Sequence, residues 1–183
     1  MKKYAKAPGP GLSLLVVAVL SLVPAMASAQ SAPDSEAFFG FLAEAKSEAA
    51  QLQKSTEEMN SFAHYTTHWR TEAAKLEEIR THVNKLGEFV AKMNNVEAAS
   101  PWQRQAAADV APMVDELAAN VTMTIYHIGE NPDRFIFTSF PEYVAANAEL
   151  ASEIADTLSD YVAYGEAKQK AEELYFELEL PRS

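Results

Sequence analysis

From Asp34 almost to the end of the chain, apolar residues recur at steps of three and four, and that single periodicity leaves few folds open. A residue every 3.6 positions on one face is the signature of an amphipathic helix, so each stretch has one stripe to bury and needs neighbours to bury it against. Phe38, Phe41 or Leu42, Ala45, Ala49, Leu52, Thr56 and Met59 form the first stripe, opened by Asp34-Ser35-Glu36, where a hydroxyl cap precedes an acid set against the helix dipole. A turn or bend is expected between Thr56 and Thr66. The second stripe is Tyr65, Trp69, Ala73, Leu76, Ile79, Val83, Leu86, Val90 and Met93, with Asn94-Asn95 as its stop.

Ser100-Pro101 restarts the chain as a helix, because serine caps free amides and proline suits the first helical position. Val110, Val114, Leu117, Val121, Ile125 and Ile128 make the third stripe, and Pro112 within it removes a backbone donor, so a kink is expected between Ala108 and Pro112. Gly129 and Asn131-Pro132 end it. Pro141 opens a long fourth helix carrying Val144, Ala148, Ala151, Ile154, Ala155, Leu158, Tyr161 and Val162. Short connections between such helices favour antiparallel neighbours, and the expected fold is all-α: an up-down-up-down four-helix bundle with a kinked third helix and a long fourth. The alternative is a three-helix core with a protruding fourth helix. With only 6 glycines in 183 residues there is little material for phosphate loops or for the turns of a β-sandwich.

Ahead of these helices stand Lys2, Lys3 and Lys6, an apolar run from Leu12 to Val23, and Pro24 to Gln30 with small residues at Ala27 and Ala29. Charged start, short apolar centre and Ala-x-Ala read as a secretory signal peptide over residues 1–29, cut between Ala29 and Gln30. The apolar run falls short of the ~20 residues a spanning helix needs, and no second run of that length follows, so no integral span is expected after cleavage. The domain is then expected over 30–180, with 181–183 a tail. The absence of cysteine rules out disulfides, a lipid-modified thiol and covalently attached c-type haem. The bacterial periplasm, or secretion beyond it, is the expected location.

A net charge of −11 opposes nucleic acid, whose binding draws on lysine and arginine clusters. Catalytic constellations are missing too: there is no Glu-x-x-His for a di-iron bundle, no His-Glu-x-x-His, and no nucleophile elbow. Glu78 and His82 read as an exposed ion pair, and Met123 with His127 as surface or boundary packing. The most specific local feature is His64-Tyr65-Thr66-Thr67-His68, two imidazoles four apart on one expected helical face, with Glu72 four further on. That spacing lets His64, His68 and Glu72 reach one Zn or Cu ion; the competing reading is a hydrogen-bonded His68–Glu72 pair that tunes packing.

Phe135, Phe137 and Phe140 crowd the link before the fourth helix, an aromatic load expected to fold over one end of the core as a lid. Leu174, Phe176 and Leu178, set among acids, make the C-terminal segment a candidate contact for another helix, either as a frayed helix end or as a docking tail. The expected role is a non-enzymatic interaction or structural module that uses Phe135, Phe137, Phe140, Leu174, Phe176 and Leu178 toward a protein partner or itself. A periplasmic transition-metal binder is the alternative.

Overall fold

The computed structural model describes residues 33–65 and 68–178. The expected signal peptide, its cleavage point and the 181–183 tail lie outside the described residues. Four helices follow in order: α1 (Glu36–Phe62), α2 (Trp69–Asn94), α3 (Pro101–Glu130) and α4 (Phe140–Glu177), with a single 3-10 turn at Phe135–Phe137 between the last two. Among the described residues there is no strand. Each helix packs on its neighbour in sequence, and α4 closes the ring against α1, which is the up-down-up-down four-helix bundle. No helix among the described residues is long and apolar enough to cross a membrane.

The core is the set of stripes read from the sequence. Phe38, Leu42, Leu52, Leu76, Ile79, Leu86, Met93, Leu117, Ile128, Ile154 and Leu158 are all fully buried. Small residues share the core with the large ones: Ala45 and Ala49 on α1, Ala106 and Ala107 on α3, and Ala151 on α4 are buried as completely as the leucines. These alanines let helix axes approach closely. Glu48, on the same side of α1, is buried with its carboxylate 2.6 Å from His82 Nδ1 of α2 and 3.7 Å from Lys85 Nζ. The partner of His82 is thus across the bundle on α1 and not Glu78, which instead pairs with Lys75.

Helix α3 continues through Pro112, the position of the expected kink. Both Pro112 and Ala108, whose carbonyl loses its helical donor, lie on the exposed side, where water can serve that carbonyl. The start of α2 differs from the expected pattern: the helix begins only at Trp69, with His68 as its N-cap in an extended conformation, so Tyr65 lies in the preceding turn and is 81% exposed instead of joining the stripe. Trp69 is half-buried, with the Arg70 guanidinium 4.9 Å over its ring.

At the end of the bundle where α1 and α3 begin, one fully buried amide joins them. Gln103 Oε1 accepts from the backbone N–H of Ser35 and of Ser100, both at 3.0 Å, and Gln103 Nε2 donates to the Ser35 carbonyl at 3.1 Å. Three backbone groups at two helix entries are satisfied by one side chain, which fixes the axial offset of α1 against α3. Replacing Gln103 by Leu keeps the volume and strands the Ser35 and Ser100 N–H groups, while the Ser35 carbonyl keeps the Phe39 N–H; the expected loss is about 2–4 kcal/mol in denaturant unfolding at unchanged slope. A loss no larger than about 0.5 kcal/mol would show that water replaces the amide.

Candidate functional site

The expected metal ligands do not share a helical face. His64 lies in the turn after α1, His68 is the extended cap of α2, and only Glu72 is within a helix. The four-residue spacing that would place both imidazoles on one ion depends on an unbroken helix through both, and the chain turns there. Among the described residues no group of three potential ligands converges. Glu72 is buried and lines an open cleft of about 620 Å³ with Glu58, Met59, Phe62, Tyr65, Lys75 and Glu78. This cleft already contains its own cation: Lys75 Nζ lies 3.2 Å from Glu58 and 3.4 Å from Glu78. Burial alone would lower the Lys75 pKa, but the two carboxylates outweigh it and hold the ammonium above its ordinary value.

The aromatic link divides. Phe135 and Phe140 are core residues, their rings edge to face at 4.9 Å, and they cap the bundle as a lid should. Being buried, neither is available to a partner, which corrects that part of the expected contact surface; Phe137 alone of the three points to solvent, 80% exposed. His127 Nε2 bonds Thr138 Oγ1 at 2.6 Å, and the His127 ring packs edge-on to Tyr143, which pins the link to the end of α3. Met123 is exposed one turn away, so the pair is boundary packing as expected.

The C-terminal segment is helix through Glu177, and its last turns are exposed from Gln169 onward. At 1.5 Å per residue α4 is about 57 Å long against roughly 40 Å for α1, so the overhang is on the order of 15 Å. Two close contacts mark where the bundle stops. Lys168 Nζ is 2.8 Å from Asp34 at the start of α1, and a Cβ on Gly165 would run into the ring edge of Phe39. Up to that point the buried face of α4 keeps an unbroken heptad: Val144, Ala148, Ala151, Ala155, Leu158, Val162, Gly165. Continued, it would reach Gln169, Glu172 and Phe176. Of the overhang's apolar residues only Phe176 keeps that face; Ala167, Ala171, Leu174, Tyr175 and Leu178, at about 100° per residue, lie on nearly the opposite side of α4. Ala171, Leu174, Tyr175 and Leu178 line a shallow groove of about 310 Å³.

A second groove, of about 470 Å³, runs between α3 and α4 near the same end, lined by Trp102, Gln105, Asp109, Thr157, Asp160, Tyr161 and Tyr164. Its tryptophan is held from behind: the indole N–H donates to Asp34 Oδ1 at 2.8 Å, and the rings of Phe38, Phe39 and Tyr164 surround it at 6.3, 5.4 and 5.2 Å. Tyr161 donates its hydroxyl to Asp109, which also accepts from Gln105 at 2.6 Å. The Asp109 hydrogen bond, with burial and the carboxylate charge, pushes the Tyr161 hydroxyl up to about 12.

The sequence shows Asp34 only in a local role and gives Gln103 none. Asp34 shows there as a helix-start acid, and nothing near it in the chain announces partners 68 and 134 residues away. A core-facing glutamine three residues after a capping serine was the available signal for Gln103. No protein-family model, no curated protein and no solved structure matches the chain.

Burial raises the Asp34 carboxyl, but hydrogen bonds from Lys168 and Trp102 and the Lys168 charge outweigh it and leave its pKa below the ordinary 3.8. A carboxyl lowered in the fold stabilises fully above its unfolded value and loses that contribution as pH falls through the folded one. Melting temperature is therefore expected to drop below about pH 4, with the drop shallower in Asp34→Asn. Tyr161 acts at the other limb: its raised value means stability lost between pH 10 and about 12, a loss that Tyr161→Phe removes.

Proposed function

We propose that this chain is an exported, non-enzymatic helical-bundle module that assembles through the overhanging end of α4. The observation that supports the reading is the change of face: beyond Gly165 the apolar stripe of α4 turns away from its own bundle, so burying Ala167, Ala171, Leu174 and Leu178 serves another molecule. Their spacing of four, three and four is a coiled-coil seam.

Charge selects the occupant. Lys168 and Lys170 lie at the start of the seam, and Glu172, Glu173 and Glu177 toward its end. Parallel pairing would gather lysines at one end and acids at the other. Antiparallel pairing with a second copy brings like flanks together and sets Lys170 beside Glu177 of the other copy, twice by symmetry. The partner proposed is therefore a second copy of this chain. Three turns of seam bury less than the standard protein interface, so the association is concentration-dependent. Export draws on the charged start, short apolar run and Ala27-x-Ala29 of the sequence; the mature protein is expected to begin at Gln30 when its first residues are read by N-terminal sequencing.

Leu174→Glu places a charge at the centre of the seam and leaves the bundle core untouched. By sedimentation velocity over a concentration series, the native chain is expected to move from monomer toward dimer, with the variant at least ~10-fold weaker in association and equal in melting temperature. A native chain that stays monomeric throughout, or a dimer that Leu174→Glu does not weaken, would overturn the reading.

A further inference from the structure

The groove between α3 and α4 carries a second proposal, independent of the α4 seam. Several acidic side chains elsewhere in the bundle face the chain's own cations: Glu58 and Glu78 face Lys75, Glu48 faces His82 and Lys85, Glu77 faces Arg80, and Asp34 faces Lys168. The groove is different. Asp109 on one wall and Asp160 on the other flank a floor of three aromatic rings, and none of the residues lining it is basic.

The floor is built before any ligand arrives. Trp102 is held by its indole hydrogen bond to Asp34 and by the rings of Phe38 and Phe39, so its remaining surface faces the groove together with Tyr164, whose ring meets it edge to face. Gly165 adds to this by bringing α4 close enough that the Phe39 and Trp102 rings lie over its α-carbon. Tyr161 spends its proton on Asp109, so the wall presents a phenol ring and a carboxylate fixed by Gln105. Asp160 is exposed at the rim.

These features fit one class of ligand. Tryptophan and tyrosine faces attract organic cations through the ring quadrupole, and their apolar area accepts a methylene stem. Two carboxylates repel anions and give an ammonium head its counter-charge. A hydrated metal ion gains nothing from aromatic rings, which offer it no ligand. A volume near 470 Å³ is within the range of small-ligand sites. We infer that the groove binds a free aliphatic amine in its cationic form, of the polyamine class, with its methylene chain along Trp102 and Tyr164 and its ammonium groups against Asp109 and Asp160.

The chain has two tryptophans, so Trp69→Phe leaves Trp102 as the sole indole reporter. Titrating the mature protein with spermidine is expected to change Trp102 emission saturably, while MgCl2 at matched ionic strength leaves it unchanged. Asp160→Asn is expected to weaken spermidine by ~10-fold, and Asp156→Asn, an exposed acid outside the groove, by less than about twofold. Calorimetric titration of the protein with both tryptophans gives the same comparison if Trp69→Phe unfolds it. An equal response to MgCl2, or equal weakening by the two variants, would reduce the effect to general charge screening and overturn the site. Tighter binding of an oligolysine of equal charge than of spermidine would also overturn it, by making the occupant a protein side chain.

Discussion

Each helix of this chain has one apolar face to bury, and α4 obeys that constraint only as far as Gly165. Up to there the heptad of Val144, Ala148, Ala151, Ala155, Leu158, Val162 and Gly165 closes the ring of four helices. The absent side chain at Gly165 lets Phe39 and Trp102 press against the α4 backbone. Past it, Lys168 reaches Asp34 and the helix leaves the bundle with its apolar residues turned outward. One change of face separates the closed core from an overhang whose apolar residues, Phe176 excepted, lie on the other side of the helix.

The polar ties gather at the same end. Gln103 holds the entries of α1 and α3 in register, Asp34 links the start of α1 to Trp102 on α3 and Lys168 on α4, and the aromatic groove is their outer surface. Leucine and alanine stripes bind helices without dictating how far one slides past the next, since neighbouring registers bury similar area. A buried amide with three backbone partners tolerates no such slide. The packing of α1 on α2 has its own marker in Glu48 and His82, where a carboxylate inside the interface is neutralised by imidazole and by Lys85. Farther along, the Asn147 amide donates to Thr124 across α3 and α4 at 3.0 Å, a third polar contact within an apolar seam.

The fold was legible because periodicity is local. Leu42, Leu76, Leu117 and Leu158 declare their faces from spacing alone, and the caps at Ser35 and Ser100 declare two helix starts. What failed were inferences that carried helical spacing across a break. His64 and His68 stand four apart only if residues 64–68 are helical, yet α1 ends at Phe62 and α2 begins at Trp69. Phe135 and Phe140 fold over the end of the core as expected of the aromatic link, but Phe137 does not, because whether each ring points in or out depends on the 3-10 turn, which composition does not reveal. His82 had two candidate acids, and the nearer in sequence was the wrong one, because a neighbour one turn away competes poorly with a buried carboxylate facing it from another helix. The groove was visible only as its parts, Trp102, Tyr161 and Tyr164, which the fold brings together from α3 and α4.

The proposed meeting of the α4 overhang with a second copy in antiparallel order sets Lys170 of one chain beside Glu177 of the other. Zero-length carbodiimide cross-linking of an equal mixture of ¹⁴N- and ¹⁵N-labelled chains reads this directly, since a mixed-isotope peptide can arise only between copies. Mixed-isotope links from Lys170 to Glu177 are expected. Links confined to single-isotope peptides, or mixed links that avoid the end of α4, would contradict that arrangement.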